Sequence, residues 1–260
     1  MASNIHPTAV IDPKAELGEN VDVGPYSLIA AEVRVHDGTK IQNNVTILGP
    51  TVIGRDNRIF AYASIGQDPQ DKKFHGEPES FLEIGDGNTI REYVTINRGS
   101  EFGGGHTRIG NDNWIMAYCH VAHDCQVGNK TVFANGATLA GHVTIEDGVT
   151  LGGFTAVHQY CSIGELAMTG GLTMIAQDVP PFVIATGNRV RLYGINKIGM
   201  ERYGLPKEDI DAIQKAYKTF YRSRLAKQEA LERIENELAH SARAQQFAMF
   251  IRESKRGICR

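Results

Sequence analysis

The sequence predicts a mainly β protein: a parallel β-helix of hexapeptide repeats, followed by a C-terminal α-helical domain. Three observations predict it. Apolar residues recur at every sixth position, glycine is concentrated before residue 200, and helical spacing of apolar residues takes over after it. The first run is Ile5, Ile11, Leu17, Val23, Ile29, Val35, Ile41, Ile47, Ile53, Ile59 and Ile65. A short run follows at Ile84, Ile90 and Ile96. The last run is Ile109, Ile115, Val121, Val127, Phe133, Leu139, Ile145, Leu151, Val157, Ile163, Thr169 and Ile175. Of these 26 positions only Phe133 and Thr169 depart from Ile, Leu and Val. Chance does not do this when about half of typical residues are apolar. A fixed short period is the mark of a solenoid.

Each hexad supplies one short strand and one corner. The apolar residue points into a narrow core, and a small residue, Val or Thr four positions later is a second, noisier signal. Glycine often follows the apolar residue, as at Gly18, Gly54, Gly110, Gly128 and Gly152, and is expected to supply the corner dihedrals. Three hexads make one triangular coil, so residues 18 apart stack at strand spacing, about 4.8 Å. An ordinary sandwich would give irregular strand spacing instead. The β-helix is assigned to residues 1–187 and the α-helical domain to 188–260.

Two interruptions break the period, near 67–83 and 97–108. Hexads on the second face begin at Ile11, Ile29, Ile47 and Ile65. If each interruption delivers the chain to the next face, the second face continues with Ile96, Val121, Leu139 and Val157. Both loops then leave from this face, and loops on a rigid scaffold are where function concentrates.

After Gly187 the hexads stop. The stretch "PKEDIDAIQKAYKTFYRSR" predicts a helix beginning near Pro206, a residue suited to a first turn. Its apolar stripe is Ile210, Ile213, Tyr217, Phe220 and Tyr221. Two more amphipathic segments carry Leu231, Ile234 and Leu238, then Phe247, Phe250 and Ile251. Their expected role is to cap the last coil and hide its open edge.

Composition excludes some function classes. A formal net charge of −3 gives no bulk basic surface for nucleic acid. No apolar run is long enough for stable membrane insertion, and "MASNIHPTAV" lacks the apolar core of a signal peptide. The four cysteines form no C-x-x-C pair, which fits free thiols in a reducing cytoplasm.

Residues 120–128 read "HVAHDCQVG". Reading columns 18 apart puts His123, Gly141 and Gln159 in one line and Asp124, His142 and Tyr160 in the next. Ala122, Ala140 and His158 form a third, and His120 precedes the strand at Val121. Three chemistries compete. A zinc site needs three or four ligands at about 2.0–2.3 Å, and His120, His123 and His142 could be recruited. A Cys125 nucleophile is disfavoured by its inward offset, because a buried apolar thiol is inert. A His123 general base fits better: Asp124 could orient it, and the Gly141 backbone N–H could meet a developing oxyanion.

The repeat resembles the left-handed hexapeptide-repeat acyltransferases. The left hand of the helix comes from that resemblance, since most parallel crossovers are right-handed. The segments "HVAHDCQVGN", "LAGHVTI", "GGFTAVHQYC", "AQDVPPFVIATGN", "RGICR", "INRG" and "IRE" are more specific. With them essentially the whole chain resembles the UDP-N-acetylglucosamine acyltransferases that begin lipid A biosynthesis. The resemblance implies transfer of a 3-hydroxyacyl chain from acyl carrier protein to the glucosamine 3-position of UDP-N-acetylglucosamine, with neither cofactor nor metal. It implies that His123 is the general base, that Asp124 supports it, and that Gly141 serves the oxyanion. His120, His142, His158 and Gln159 match acceptor-binding or orienting positions, and "QDKK" brings Asp71 and Lys73 onto acceptor contacts. Asn196 and Arg202 match nucleotide-side contacts, and Gly171 matches the position that limits acyl length, flanked by Met168, Leu172 and Met174. The resemblance also implies a homotrimer with sites between neighbouring subunits. Three positions depart from the pattern: Ile198 where Glu is frequent, Tyr203 where a second basic residue follows Arg202, and Arg189 where His follows "GN". The basic residues Arg189, Arg191, Lys197, Arg202 and Arg222 offer an attraction for acidic acyl carrier protein. The alternatives are a related acyltransferase with another sugar or amine acceptor, and a zinc-dependent hydrase of the same fold.

Overall fold

The structure is a computed structural model and describes residues 3–260. Among the described residues, short strands assemble into three sheets of eleven, nine and eight strands, parallel throughout except for the last strand of the largest. Through the coils each sheet gathers every third strand of the chain, as a triangular coil demands. Most strands are two residues long, such as Val10–Ile11, His120–Val121 and Thr138–Leu139. Stacked partners lie 18 residues apart, as in Asn4↔Asp22 and His120↔Thr138. Across the first interruption the offset becomes 31, as in Ser64↔Thr95, and across the second it becomes 25, as in Thr95↔His120. The loops therefore insert 13 and 7 residues, each without changing the order of the faces. The nine-stranded sheet runs through Ile11, Ile29, Ile47, Ile65, Ile96, Val121, Leu139 and Val157, so both loops leave from one face.

The periodic apolar side chains form the core. Ile29, Ile47, Ile65, Ile96, Val121 and Leu139 are all buried. The residues four positions on are buried too, including Val45, Val94, Cys119, Cys125, Ala137 and Cys161. The two exceptions to the repeat are absorbed in different ways. Phe133 fills the core outright, whereas Thr169 is buried with its hydroxyl bonded to Gly152 N–H (2.9 Å) and Thr155 Oγ1 (2.8 Å). Ile5 is 44% exposed, its strand being the edge of the sheet among the described residues.

The expected use of glycine needs correction. Among the glycines that follow apolar positions, Gly66 has a left-handed backbone (φ 74°), but Gly18, Gly54, Gly110, Gly128 and Gly152 do not. They are required for space: a Cβ on Gly152 would lie 2.5 Å from the Gly170 carbonyl carbon, and one on Gly54 2.2 Å from Asp86 Oδ1. The left-handed corner falls two residues later and is filled mostly by other residues. Asp124, His142 and Tyr160 occupy it at φ 62°, 61° and 64°. Such angles cost L-residues about 1–2 kcal/mol each.

After Val183–Thr186 a strand at Arg191–Ile195 adds antiparallel to the eleven-stranded sheet. Four helices follow: α1 (Lys197–Tyr203), α2 (Lys207–Arg222), α3 (Lys227–Glu237) and α4 (Ala242–Glu253). α2 begins after Pro206 and buries Ile210, Ile213 and Tyr217, as its spacing predicts. α1 is too short to show periodicity in the sequence. Leu231, Ile234, Phe247 and Ile251 join one continuous core with the coils. The C-terminal segment returns to the prism, where Ile258 bridges Asp178 and the Ser254 hydroxyl donates to Asp178 Oδ2 (2.6 Å). No helix among the described residues is long and apolar enough to cross a membrane.

Candidate active site

Three consecutive coils bring the predicted columns together at the corner where the loops emerge. The His123 ring lies over Gly141: a Cβ built on Gly141 would stand 2.7 Å from His123 Cε1 and 2.8 Å from Nε2. In the next column His142 stacks on Tyr160 (centroids 4.4 Å, 8° between planes) and meets His123 edge-on at 5.1 Å. This packing follows from the backbone. One coil hydrogen-bonds the next through His142 N–H to His123 O (3.0 Å) and Tyr160 N–H to Gly141 O (3.2 Å), so side chains 18 apart must overlie.

Asp124 is the electrostatic centre. Its carboxylate is fully buried and accepts from His123 Nδ1 (2.7 Å), Ser100 Oγ (2.6 Å) and Ser100 N–H (2.8 Å). Burial pushes the Asp124 carboxyl up. Hydrogen bonds from His123 and Ser100, with the nearby His142, outweigh it and hold the group below the usual carboxylate value. Against an ionised Asp124 the facing Nδ1 must be the donor, so in the neutral ring the lone pair lies on Nε2. Burial, reinforced by His123, lowers the pKa of His120, whose Nδ1 lies 2.7 Å from Thr95 Oγ1. Burial also lowers that of His142, against the opposing pull of Asp124.

His123 and Gly141 open onto a cleft of about 450 Å³, lined also by Gln70, His120, Ala140, His158 and Met174. Its walls combine Ala, Val, Leu, Ile and Met side chains with a few polar groups, the pattern of a small-molecule site. A larger groove of about 890 Å³ runs along the eight-stranded face past Glu83, Gln126 and Glu165, and carries none of the predicted site residues. The Gly141 N–H has no protein acceptor among the described residues. Cys125 lies under the site but is buried, and burial pushes its thiol up to about 12.

The other predicted residues are spread more widely. Asp71 is half-buried in the first loop, where its carboxylate accepts from Lys73 N–H (3.0 Å) and acts electrostatically on His142. Lys73, Gln159 and Arg202 are exposed, and His158 is exposed on the cleft wall. Asn196 is buried and spends its amide on the fold, donating to Leu166 O (2.9 Å) and accepting from Gly199 N–H (3.1 Å) to cap α1. Gly171 is exposed, and a Cβ there would touch only Gly153 O, at 3.4 Å. Neither Asn196, Arg202 nor Gly171 lines the cleft. Sequence reasoning missed Ser100 and Gly103, from the second loop, and Thr107, from the strand that follows it. Their polar or small character was visible, but an aperiodic loop gives no signal of where its residues land.

His123, Asp124 and His142 can each offer one ligand atom within 4.8 Å of the others, a trio in which Asp124 replaces the expected His120. Both Asp124 oxygens accept hydrogen bonds: Oδ2 takes two, from His123 Nδ1 and Ser100 Oγ, and Oδ1 takes one, from Ser100 N–H.

Known proteins resolve what this corner belongs to. A relative from Janthinobacterium sp. (strain Marseille), "Acyl-[acyl-carrier-protein]--UDP-N-acetylglucosamine O-acyltransferase", is 54% identical over 99% of this chain and 100% of its own length. The chain belongs to the UDP-N-acetylglucosamine O-acyltransferase family. A relative of the same description from Halorhodospira halophila is 51% identical over 99% of this chain and 100% of its own. The profile described as "Udp N-acetylglucosamine O-acyltransferase; Domain 2" matches residues 178–259, and that of the bacterial transferase hexapeptide (six repeats) matches 106–141. The solved UDP-N-acetylglucosamine acyltransferase of Francisella novicida superposes with a TM-score of 0.96 at 38% identity, covering 98% of this chain and 94% of that one. LpxA from Acinetobacter baumannii does so at 0.95 and 42%, covering 98% and 99%. The fold is the family's left-handed parallel β-helix with C-terminal helices.

Proposed function

We propose that this chain transfers a 3-hydroxyacyl group from acyl carrier protein to the glucosamine 3-position of UDP-N-acetylglucosamine, the first step of lipid A biosynthesis, with His123 as general base. The observation that carries the reading is the His123–Asp124 hydrogen bond of 2.7 Å set directly over Gly141. Relatives at 46–54% identity over 99–100% of this chain carry the name of that activity.

In this mechanism the sugar 3-hydroxyl oxygen attacks the thioester carbonyl carbon. Its proton passes to His123 Nε2 as the carbon–oxygen bond forms. The carbonyl oxygen becomes an oxyanion, which the Gly141 N–H can meet. Collapse of the intermediate breaks the carbon–sulfur bond, and the leaving thiolate takes the proton back from His123. Asp124 stays ionised throughout and stabilises the transient imidazolium. No covalent enzyme intermediate forms, and the reading assigns no metal or cofactor.

The remaining roles are those the family resemblance implies, except that Asn196 acts through the helix cap. Asp71, Lys73, His120, His142, His158 and Gln159 orient the sugar. Arg202 meets the nucleotide, and Asn196, its amide engaged in the cap, places α1 and so Arg202. Gly171 sets acyl length by leaving its surroundings open. The cleft is open on one side and lined by Ala122, Ala140, Ala156 and Met174. A neighbouring subunit of a cytoplasmic homotrimer would cover such a wall. Residues 1–187 serve as scaffold, and residues 188–260 as a cap whose arginines receive acyl carrier protein.

The test is an assay of purified protein with UDP-N-acetylglucosamine, its 3-amino analogue, and 3-hydroxyacyl carriers of graded length. Turnover with a hydroxyacyl carrier and the 3-hydroxyl acceptor supports the reading. Turnover confined to another acceptor, or activity that requires stoichiometric zinc, overturns it.

A further inference from the structure

We propose that Ser100 is a positioning residue for acyl transfer, holding the buried Asp124 carboxylate in one orientation toward His123. The proposal rests on the reading of His123 as general base. Ser100 is 4% exposed and contacts the carboxylate twice: its N–H donates to Oδ1 (2.8 Å) and its hydroxyl to Oδ2 (2.6 Å). Oδ2 is the same oxygen that accepts from His123 Nδ1. Two donors on two oxygens fix the carboxylate plane, and that plane fixes the His123 ring.

The hydroxyl has an ordinary alternative that it does not take. Ser100 precedes the 3₁₀ turn Glu101–Gly103, with β-region angles (φ −117°, ψ 151°). A serine there commonly caps the turn with its side chain, yet this one makes no side-chain cap. The turn is held instead by backbone bonds from Gly103 and Gly105 to Ser100 O (2.9 and 2.8 Å). The hydroxyl is thereby free for Asp124.

Two neighbours complete the seat. A Cβ on Gly103 would stand 2.0–2.3 Å from the Asp124 carboxyl atoms, so only glycine lets the loop lie against them. Thr107 Oγ1 accepts from Asp124 N–H (2.8 Å) and fixes the backbone beneath. The second loop thus covers the side of Asp124 that faces away from His123. Without the loop, water would solvate the carboxylate and loosen its hold on the imidazole. Ser100 touches no reacting atom and acts through Asp124.

The test uses the full chain with substitutions Ser100→Ala, Ser100→Thr, Gly103→Ala and Asp124→Asn, and the double change Ser100→Ala with Asp124→Asn. Ser100→Ala is expected to lower kcat about 10- to 100-fold, the effect of losing a hydrogen bond to a charged group, with each KM within about twofold. Ser100→Thr restores most of the rate, and Gly103→Ala lowers kcat alone. The double variant is no slower than Asp124→Asn, because Ser100 has nothing else to act through. Wild-type kcat in Ser100→Ala, or full additivity in the double variant, overturns the proposal. His123→Ala is run in parallel: if it keeps turnover, the base reading fails instead.

Discussion

Gly141 shows how much a single residue decides at this corner. Its backbone is not in the left-handed region, so alanine brings no dihedral strain. The cost is steric, because the new Cβ would stand 2.7 Å from a His123 ring that Asp124 pins from the other side. Gly141→Ala is expected to fold with a lowered melting temperature, because the displaced ring loosens its bond to Asp124, and to lose kcat by about 10²-fold, within the range typical of general-base contributions; steady-state kinetics with thermal melts check both halves. His120 makes a different prediction, through pH. Burial lowers its pKa, so the folded chain binds a proton less readily than the unfolded one, where histidine titrates near 6.5. Its contribution is therefore complete above about pH 6.5 and is lost as pH falls through that value toward the folded pKa. Melting temperature followed from pH 8 to pH 5 should fall more steeply in the native protein than in His120→Gln. Parallel curves would refute the assignment.

At the scale of elements, Arg98 joins the two loops to the prism. It is buried at the start of the second loop, and its guanidinium donates to Gly49 O and Gly66 O (2.7 Å each) and to Ser80 Oγ (3.2 Å), and pairs with Asp68. Both ends of the first loop are thus tied to one side chain. Arg98→Met leaves two carbonyls unpaired and should cost about 3 kcal/mol, at roughly 1–3 kcal/mol per buried unsatisfied group. Limited trypsin digestion should then cut faster at Lys72 and Lys73, and denaturant melts give the stability change. The sequence showed the strands far better than the loops. Every inward hexad position obeys one rule, so Ile65, Ile96 and Val121 could be aligned across two insertions of unequal length. Loop residues obey no period, and Ser100 and Arg98 gained their roles only when the chain was folded. Asn196 was legible as a polar residue near the cap, but its engagement with Leu166 and Gly199 depends on α1, whose seven residues carry too little spacing to be recognised.

For the whole molecule, the stacking distance of one coil is what turns separated residues into a site. His123 and Gly141 lie 18 positions apart in sequence and in contact in space because every coil repeats the same backbone path. The columns were legible from the repeat alone. The use of glycine at the corners was not: the strained position belongs to Asp124, His142 and Tyr160, and glycine serves close approach. A stiff prism holds these corner side chains at fixed spacing, which suits a base that must meet a hydroxyl in one geometry. The central claim is that His123 is that base. The most direct measurement is the rate of 3-hydroxyacyl transfer to UDP-N-acetylglucosamine by His123→Ala, alongside its circular dichroism and thermal melt. The account predicts a native fold with kcat reduced by about 10²- to 10⁴-fold. A folded variant that turns over at the native rate would contradict it.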